Sequence, residues 1–385
     1  MKINHIEDNK RKMLKINYGS LENNGIDYEK RNQTRFPHDI TIQDCRDAIK
    51  GVPGFRETNK NGMICFNYDF STRQSFPDPL TAEDARSSFL YKVRRECRGI
   101  IFEQSTGALV CRKFHKFFNI NELDETHQDK INLEGEKYII LEKLDGSLIA
   151  PIYSSKENKV TWGSKAGATD LSAKVDKYIA SQADTIKYGE FSELWLKKGY
   201  TPMYEWCSES QRIVLYYAQD LLSLTAIRSI KTGEYILYDE MVESAKQFNV
   251  PVTGAIEQHK VFGGGARTAA ELLEQVQKMR DIEGYILRFD DGRVFKMKCA
   301  CTIHSMKKTS TNCRKDINND KSIQPWFKKL LFQFIDEIDC EEDPASYMSA
   351  VSKYIIYILK NQCGSASKLD EGRKVLGGLK FVEQF

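Results

Sequence analysis

Between residues 63 and 165 the chain carries six strand-like runs, "GMICFNYDF", "RGIIFE", "ALVCRKF", "KYIILEK", "SLIAPIY" and "KVTWGS", broken by Gly, Asp and Ser. Runs of this kind predict a mostly antiparallel sheet region. Helical patterns flank it. "TIQDCRDAIKG" reads as a short helix with Thr41 as N-cap, Asp44 three residues on and Gly51 past its end. Leu171, Val175 and Ile179 recur at four-residue intervals, "FSELWLKKG" reads as a second amphipathic helix ending at Gly199, and "RTAAELLEQVQKM" as another. Strands are expected again in "TPMYEW" and in a pair, "LLSLTAIRSI" and "EYILYDE", around Thr232-Gly233. Beyond about 302, Trp326, Leu330 and Phe334 run beside Phe327, Leu331 and Ile335, and Tyr347, Val351, Ile355 and Ile358 follow Pro344. That pattern predicts a small all-helical domain. The expected fold class is α+β, with an N-terminal arm and helix over 1–60, a sheet-rich domain over 61–305 and a helical C-terminal domain over 306–385.

A chain of 385 residues is longer than one typical core supports, in keeping with more than one domain. Its 57 Lys and Arg barely exceed its 54 Asp and Glu, so any nucleic-acid footprint must be local. Ten cysteines are scattered without a CxxC pair, the start "MKINHIEDNKRKMLK" is polar, and no apolar run approaches the roughly 20 residues of a membrane helix. These features lead us to expect a reduced, intracellular protein, cytoplasmic or nuclear or in a host cytoplasm, neither secreted nor integral to a membrane. A monomer is expected.

"LEKLDGSLI" sets one ammonium, Lys143, in an apolar strand-like run. A buried ammonium is costly unless paired or neutralised, which makes Lys143 a candidate nucleophile. "GYILRF-DDG-RVFKMK" reads as a hairpin with Asp291-Gly292 as a two-residue type I′ turn, setting Leu287 opposite Lys296 and Tyr285 opposite Lys298. Glu283, Lys296 and Lys298 then share one face with Tyr285 and Leu287. A solvated sheet would also carry such charges; the two apolar neighbours point to a covered face. Glu205 sits singly between Tyr204 and Trp206, Arg98 just ahead of a strand, and Lys116 among aromatics. Several cations and carboxylates set singly in strands suit a pocket for a triphosphate with a divalent metal.

At these residues the chain resembles the covalent nucleotidyltransferases, the superfamily of ATP-dependent ligases and capping enzymes. Lys143-Leu144-Asp145-Gly146 matches its KxDG nucleophile motif. "MYEW", "LTAIRSIKTGEY", "EGYILR" and "FKMK" follow in the family order, the second resembling the segment that sets an aromatic or Arg side chain against the base. "ECRGIIFE", "KFFNINE", "SKAG" and "RIVLYY" are similar to signatures of the phage tRNA-repair RNA ligase type, RNA ligase 1. The likeness covers about residues 63 to 310. It departs at Phe66, where that family usually has a tyrosine, so that a hydroxyl contact to the terminal phosphate is either missing or moved to Tyr68, and in "CACTIHS", which lacks an expected aromatic but keeps His304-Ser305.

The resemblance implies an ATP-grasp-like ligase domain of mostly antiparallel sheets with flanking helices. It implies that Lys143 attacks the α-phosphorus of ATP, that AMP passes to an RNA 5′-phosphate, and that a 3′-hydroxyl then displaces it. Lys296 and Lys298 would hold the α-phosphate, Arg98 and Lys116 the β- and γ-phosphates, and Glu205 and Glu283 hydrated Mg²⁺, with Mn²⁺ as a substitute. Glu142 would accept from the adenine amino group, Asp145 serve the ribose or the metal, Gly146 complete the ATP-binding motif, and Lys165 touch a phosphate in later steps. Only a neutral amine can attack, so a lysine pKa must fall from about 10.4 to about 7.5, roughly 4 kcal/mol of differential stabilisation. Burial, Lys296, Lys298 and metal are expected to supply it. The expected partner is RNA with 5′-phosphate and 3′-hydroxyl ends, a broken tRNA among the candidates, with end-healing left to a separate kinase and phosphatase.

Rival readings differ by class. A capping guanylyltransferase or DNA ligase carries a strand-rich oligonucleotide-binding fold where this chain turns helical. A tRNA-splicing ligase and a catalytically dead RNA-binding relative are the others. Cys299, Cys301 and His304 lack the second half of a zinc site, "VFGGGAR" reads as a connection, and Trp326, Phe327 and Phe334 as helical core. "HSMKKTSTNCRK" is a local candidate for RNA backbone contact.

Overall fold

The computed structural model describes residues 27–300 except 73, 155–158, 210–214, 216, 257–265 and 281, together with 314, 315, 317–319, 325, 328, 329, 331, 332, 335 and 353. Three sheets organise these residues. The first runs β1-β2-β3-β4, from Phe55–Lys60, Met63–Tyr68, Ile100–Glu103 and Leu109–Cys111. The third holds β11-β6-β12-β13-β5, from Ala255–Ile256, Tyr138–Glu142, Gly284–Phe289, Val294–Lys298 and Phe118–Asn119. Inserted in sequence between β6 and β11 of the third is the second sheet, β10-β9-β7-β8, from Leu221–Ser229, Tyr200–Cys207, Ser147–Ser154 and Lys159–Ser164. Their pairings are antiparallel except that of β13 with β5, so the fold is α+β with mostly antiparallel sheets.

Helices cover one face of each sheet. α1 (Tyr28–Arg31), α2 (Ile42–Ile49) and α3 (Ala85–Glu96) pack Tyr28, Cys45, Ala48, Phe89 and Val93 onto Phe66, Ile100 and Phe102. α4 (Asp170–Ser181), α5 (Tyr188–Lys197) and α6 (Tyr238–Lys246) cover the second sheet through Val175, Phe191, Trp195 and Met241. α7 (Ala269–Lys278) lays Leu272, Leu273 and Val276 over Tyr285, Leu287, Phe295 and Met297. Each such side chain, when fully buried, stabilises by about 1.5–3 kcal/mol. The sheets therefore present rigid opposite faces on which a site can be built.

The expected cap forms: Thr41 and Asp44 make a reciprocal capping box. Thr169 and Thr268 also cap α4 and α7. The later part of "EYILYDE" is not a strand: Tyr235 makes an isolated bridge to Arg228, α6 begins at Tyr238, and β10 pairs with β9 instead. The polar edge strand β1 and helix α3 carry no clear apolar period in sequence. In α3 the buried side includes Arg94, whose guanidinium donates to the carbonyls of Ala48 and Ser75. The described positions from 314 to 335 and Lys353 are helical, with Ile317, Leu331 and Ile335 buried. Trp326, Phe327, Leu330, Phe334, Tyr347, Val351, Ile355, Ile358, Cys301 and His304-Ser305 lie outside the described residues, as does most of "HSMKKTSTNCRK" and of "VFGGGAR". Among the described residues Cys45, Cys65, Cys97, Cys111 and Cys207 are buried free thiols.

Candidate active site

The hairpin register differs from expectation by one residue. Lys296 faces Ile286 and Lys298 faces Gly284, while Tyr285 faces Met297 and Leu287 faces Phe295. The loop spans three residues, Asp290 to Gly292: the Gly292 amide donates to the Phe289 carbonyl and Gly292 takes φ 88°. Tyr285 and Leu287 consequently belong to the core under α7, on the face opposite Lys296 and Lys298. Strict alternation would send Glu283 to that core as well. Gly284 prevents this with φ 147°, where a Cβ would stand 2.0 Å from the Met297 carbonyl oxygen. Glu283 emerges instead beside Lys298, lining a cavity with Lys296 and Lys143.

Lys143 itself is not within a strand. β6 ends at Glu142 and β7 begins at Ser147, so residues 143–146 link the third sheet to the second. The Lys143 amide donates to the Gly284 carbonyl at 3.1 Å. The Asp145 amide donates to the Tyr217 hydroxyl at 2.9 Å, and its Oδ2 accepts from the Leu215 amide at 2.6 Å. Gly146 passes so close to β9 that a Cβ would meet the Trp206 carbonyl oxygen at 2.3 Å. The link is thereby fastened on both sides.

The cavity, of about 500 Å³, is lined by Glu142, Lys143, Asp145, Gly146, Arg98, Lys165, Glu205, Glu283, Lys296 and Lys298. That volume suits a nucleotide. Lys143 Nζ lies 2.5 Å from Glu283 Oε1. Burial alone would lower the Lys143 pKa, but Glu283, with Glu205 and Asp145 behind it, outweighs burial and holds it above the ordinary lysine value. This reverses the expected direction. The depressed lysine is Lys296, pushed well down by burial and by Lys116, Lys298, Arg98 and Lys143. Burial pushes the Glu205 carboxyl up to about 7, against Lys143 and with Glu283.

Lys116 does not line the cavity. Its ammonium sits 5.1 Å from the Phe118 ring and 5.2 Å from that of Phe76, inside an aromatic wall. Arg228, in the segment expected to contact a base, is fully buried and likewise set apart, while Thr225 of the same strand lines the cavity. Arg228 and Arg112 clasp Glu96 between them, Arg228 Nη1 and Nη2 each donating at 2.7 Å and Arg112 Nη2 at 2.8 Å. This buried cluster ties the end of α3 to β10 and fixes the turn that carries Arg98. Phe66 is buried against Phe102, whereas Tyr68 lines the cavity with Lys165 Nζ 4.2 Å over its ring. Arg288, also lining, was missed; the correct register sets it on the face of Ile286 and Lys296.

Glu205, Glu283 and Asp145 offer hard oxygen donors to one cavity. Among the described residues no three His, Cys, Asp or Glu side chains cluster closely enough to hold a metal alone. Mg²⁺ does not require that, because it keeps several waters and binds through one or two carboxylates plus phosphates. The elevated Glu205, crowded by Glu283 and Asp145, is the arrangement a divalent cation would relieve, so the donor set fits.

A family model described as RNA ligase matches residues 96–304, more than half of the chain. A Thermovibrio ammonificans protein bearing an RNA ligase name is 28% identical over 260 residues, covering 67% of this chain and 61% of its own length. RNA ligase 1 of Bacteriophage TS2126 is 22% identical over 209 residues, covering 52% of this chain and 49% of its own. The chain thus spans about three fifths and half of these relatives. An archaeal ATP-dependent RNA ligase structure is 10% identical, covers 93% of this chain and 81% of its own, and superposes with a TM-score of 0.46.

Proposed function

Because the chain belongs to the RNA ligase family, we propose that it seals RNA 5′-phosphate and 3′-hydroxyl ends with ATP, through an AMP carried on Lys143. The observation that carries this reading is the meeting of Lys143, Glu283, Lys296 and Lys298 in one cavity, at the junction of two sheets. Lys143 Nζ forms a bond to the α-phosphorus of ATP as the bond to the β-phosphate oxygen breaks, releasing pyrophosphate. The ammonium must first shed a proton, and Glu283 Oε1 at 2.5 Å is within reach to accept it. Lys296, Lys298 and Arg98 stabilise charge building on the phosphate oxygens, a task for preorganised cations. The RNA 5′-phosphate then takes the AMP from Lys143, and a 3′-hydroxyl displaces AMP to close the strand.

Glu205 and Glu283 would hold Mg²⁺ or Mn²⁺, with Asp145 beside them, and the ion would supply Lewis-acid charge to the phosphates. Lys165, which lines the same cavity, would serve a phosphate contact in the later steps. A broken tRNA, its ends prepared by a separate kinase and phosphatase, is a fitting substrate class. The test is a denaturing gel of protein mixed with Mg²⁺ and α-labelled ATP or GTP. Label from ATP that vanishes in Lys143→Ala supports the reading; label from GTP, or none in protein free of prior adenylylation, overturns it.

A further inference from the structure

A second set of charges lies at the solvent side of the same cavity. Arg56 Nε is 3.1 Å and Lys353 Nζ 3.4 Å from Asp69 Oδ1. The three come from β1, from the residue after β2 and from a helical position 284 residues beyond Asp69, yet all line the cavity that holds Lys143. The Arg56 and Lys353 side chains are 43% and 47% exposed, against 20% for Lys143 and 7% for Glu283. The deep end is thus closed and this end meets solvent.

Charge distinguishes what each end can take. A triphosphate carries about four negative charges, and Arg98, Lys296 and Lys298 gather around Lys143 in the cavity. At the rim two cations share one carboxylate, leaving a single net positive charge, which matches one phosphodiester. Exposed ion pairs of this kind are weak, and charge-assisted bonds from Arg and Lys to phosphate replace them readily. We propose that Arg56 and Lys353 hold a backbone phosphate of the RNA strand entering the cavity, and that Asp69 stands in for that phosphate until the RNA arrives. The assignment rests on the RNA ligase reading and adds to it the docking point of the strand. It also ties a helix late in the chain directly to the substrate path.

The sign of the Asp69 effect is what separates docking from scaffolding. Binding of a 5′-phosphorylated single-stranded RNA to the full chain, without ATP, is measured across a salt series. Arg56→Ala and Lys353→Ala are each expected to weaken binding about tenfold at low salt and to flatten the log-log salt slope by about 0.7, the value for one phosphate contact on a single strand. Asp69→Asn is expected to tighten binding, which a folding defect would not do. Unchanged affinity and slope in both alanine variants would overturn the proposal, as would weakened binding in Asp69→Asn. A raised ATP half-saturation for Lys143 labelling with an unchanged RNA slope would overturn it too, moving the rim to the nucleotide. Failure of the ligase reading is seen separately, as wild-type protein that binds RNA but forms no Lys143 adduct.

Discussion

Lys143 Nζ and Glu283 Oε1 stand 2.5 Å apart, the first on a link between sheets and the second beside a glycine that breaks strand alternation. The pair holds the proposed nucleophile in place and charged at once. Deprotonation therefore precedes attack, and the rate of lysyl-AMP formation should climb as pH rises toward the elevated Lys143 pKa. Glu283→Gln removes the charge that sustains the ammonium, so the rising limb should move to lower pH while the maximal rate falls by about 10²–10³-fold. Single-turnover labelling across pH checks both.

On the proposed mechanism Lys296 and Lys298 act on charge that develops in the transition state. Lys296→Ala and Lys298→Ala should each slow adduct formation by about 10²–10³-fold, with a smaller effect on ATP binding. Rapid-quench labelling at saturating and subsaturating ATP separates the two quantities.

Gly284→Ala forces a Cβ to within 2.0 Å of the Met297 carbonyl oxygen at φ 147°. The hairpin must shift, with a loss of about 3 kcal/mol or more and misplacement of Glu283. Thermal melting should show a lower midpoint, and labelling should fall further than the remaining folded fraction accounts for.

Burial alone would raise the Glu96 pKa, but Arg112 and Arg228 outweigh it and hold the carboxyl at about 2. A carboxyl held below its unfolded value of about 4.3 stabilises the fold above that pH and ceases to as pH falls through about 2. The difference is on the order of 3 kcal/mol. Glu96→Gln should destabilise by about 3–5 kcal/mol at neutral pH by stranding two buried guanidiniums, and should flatten the acid limb of the stability curve. Urea midpoints from pH 7 down to pH 3 test this.

The strands between 63 and 165 were legible because burial of consecutive positions writes short apolar runs, bounded by Gly, Asp and Ser, into the residues. The KxDG run was legible because chemistry fixes its spacing. The hairpin register was not: Asp290-Asp291-Gly292 forms the loop with φ positive at Gly292 and not at Asp291, so reading two loop residues slipped every pair by one. Glu283 was placed on the right face for the wrong reason, since Gly284, not the pairing, brings it there. Helix α3 is hard to read in sequence because Arg86, Arg94 and Glu96 share the buried side with Phe89, Leu90 and Val93 and interrupt the apolar stripe, Arg94 donating to distant carbonyls. Lys116 looked like a pocket cation, yet an aromatic wall encloses its ammonium, and the arginine of the segment likened to a base-contacting one, Arg228, is held by Glu96, facts that only packing decides. The rim of Arg56, Asp69 and Lys353 has no local signature at all.

The four-residue link that carries Lys143 is anchored to Gly284 at one end and crowded against Trp206 at the other. The amine's position is accordingly the sum of two sheet positions, and a slip of either is delivered undiminished to the reacting atom. Substitutions far away, in the packing beneath α5 or α7, would on this view be felt as slow chemistry before they are felt as unfolding.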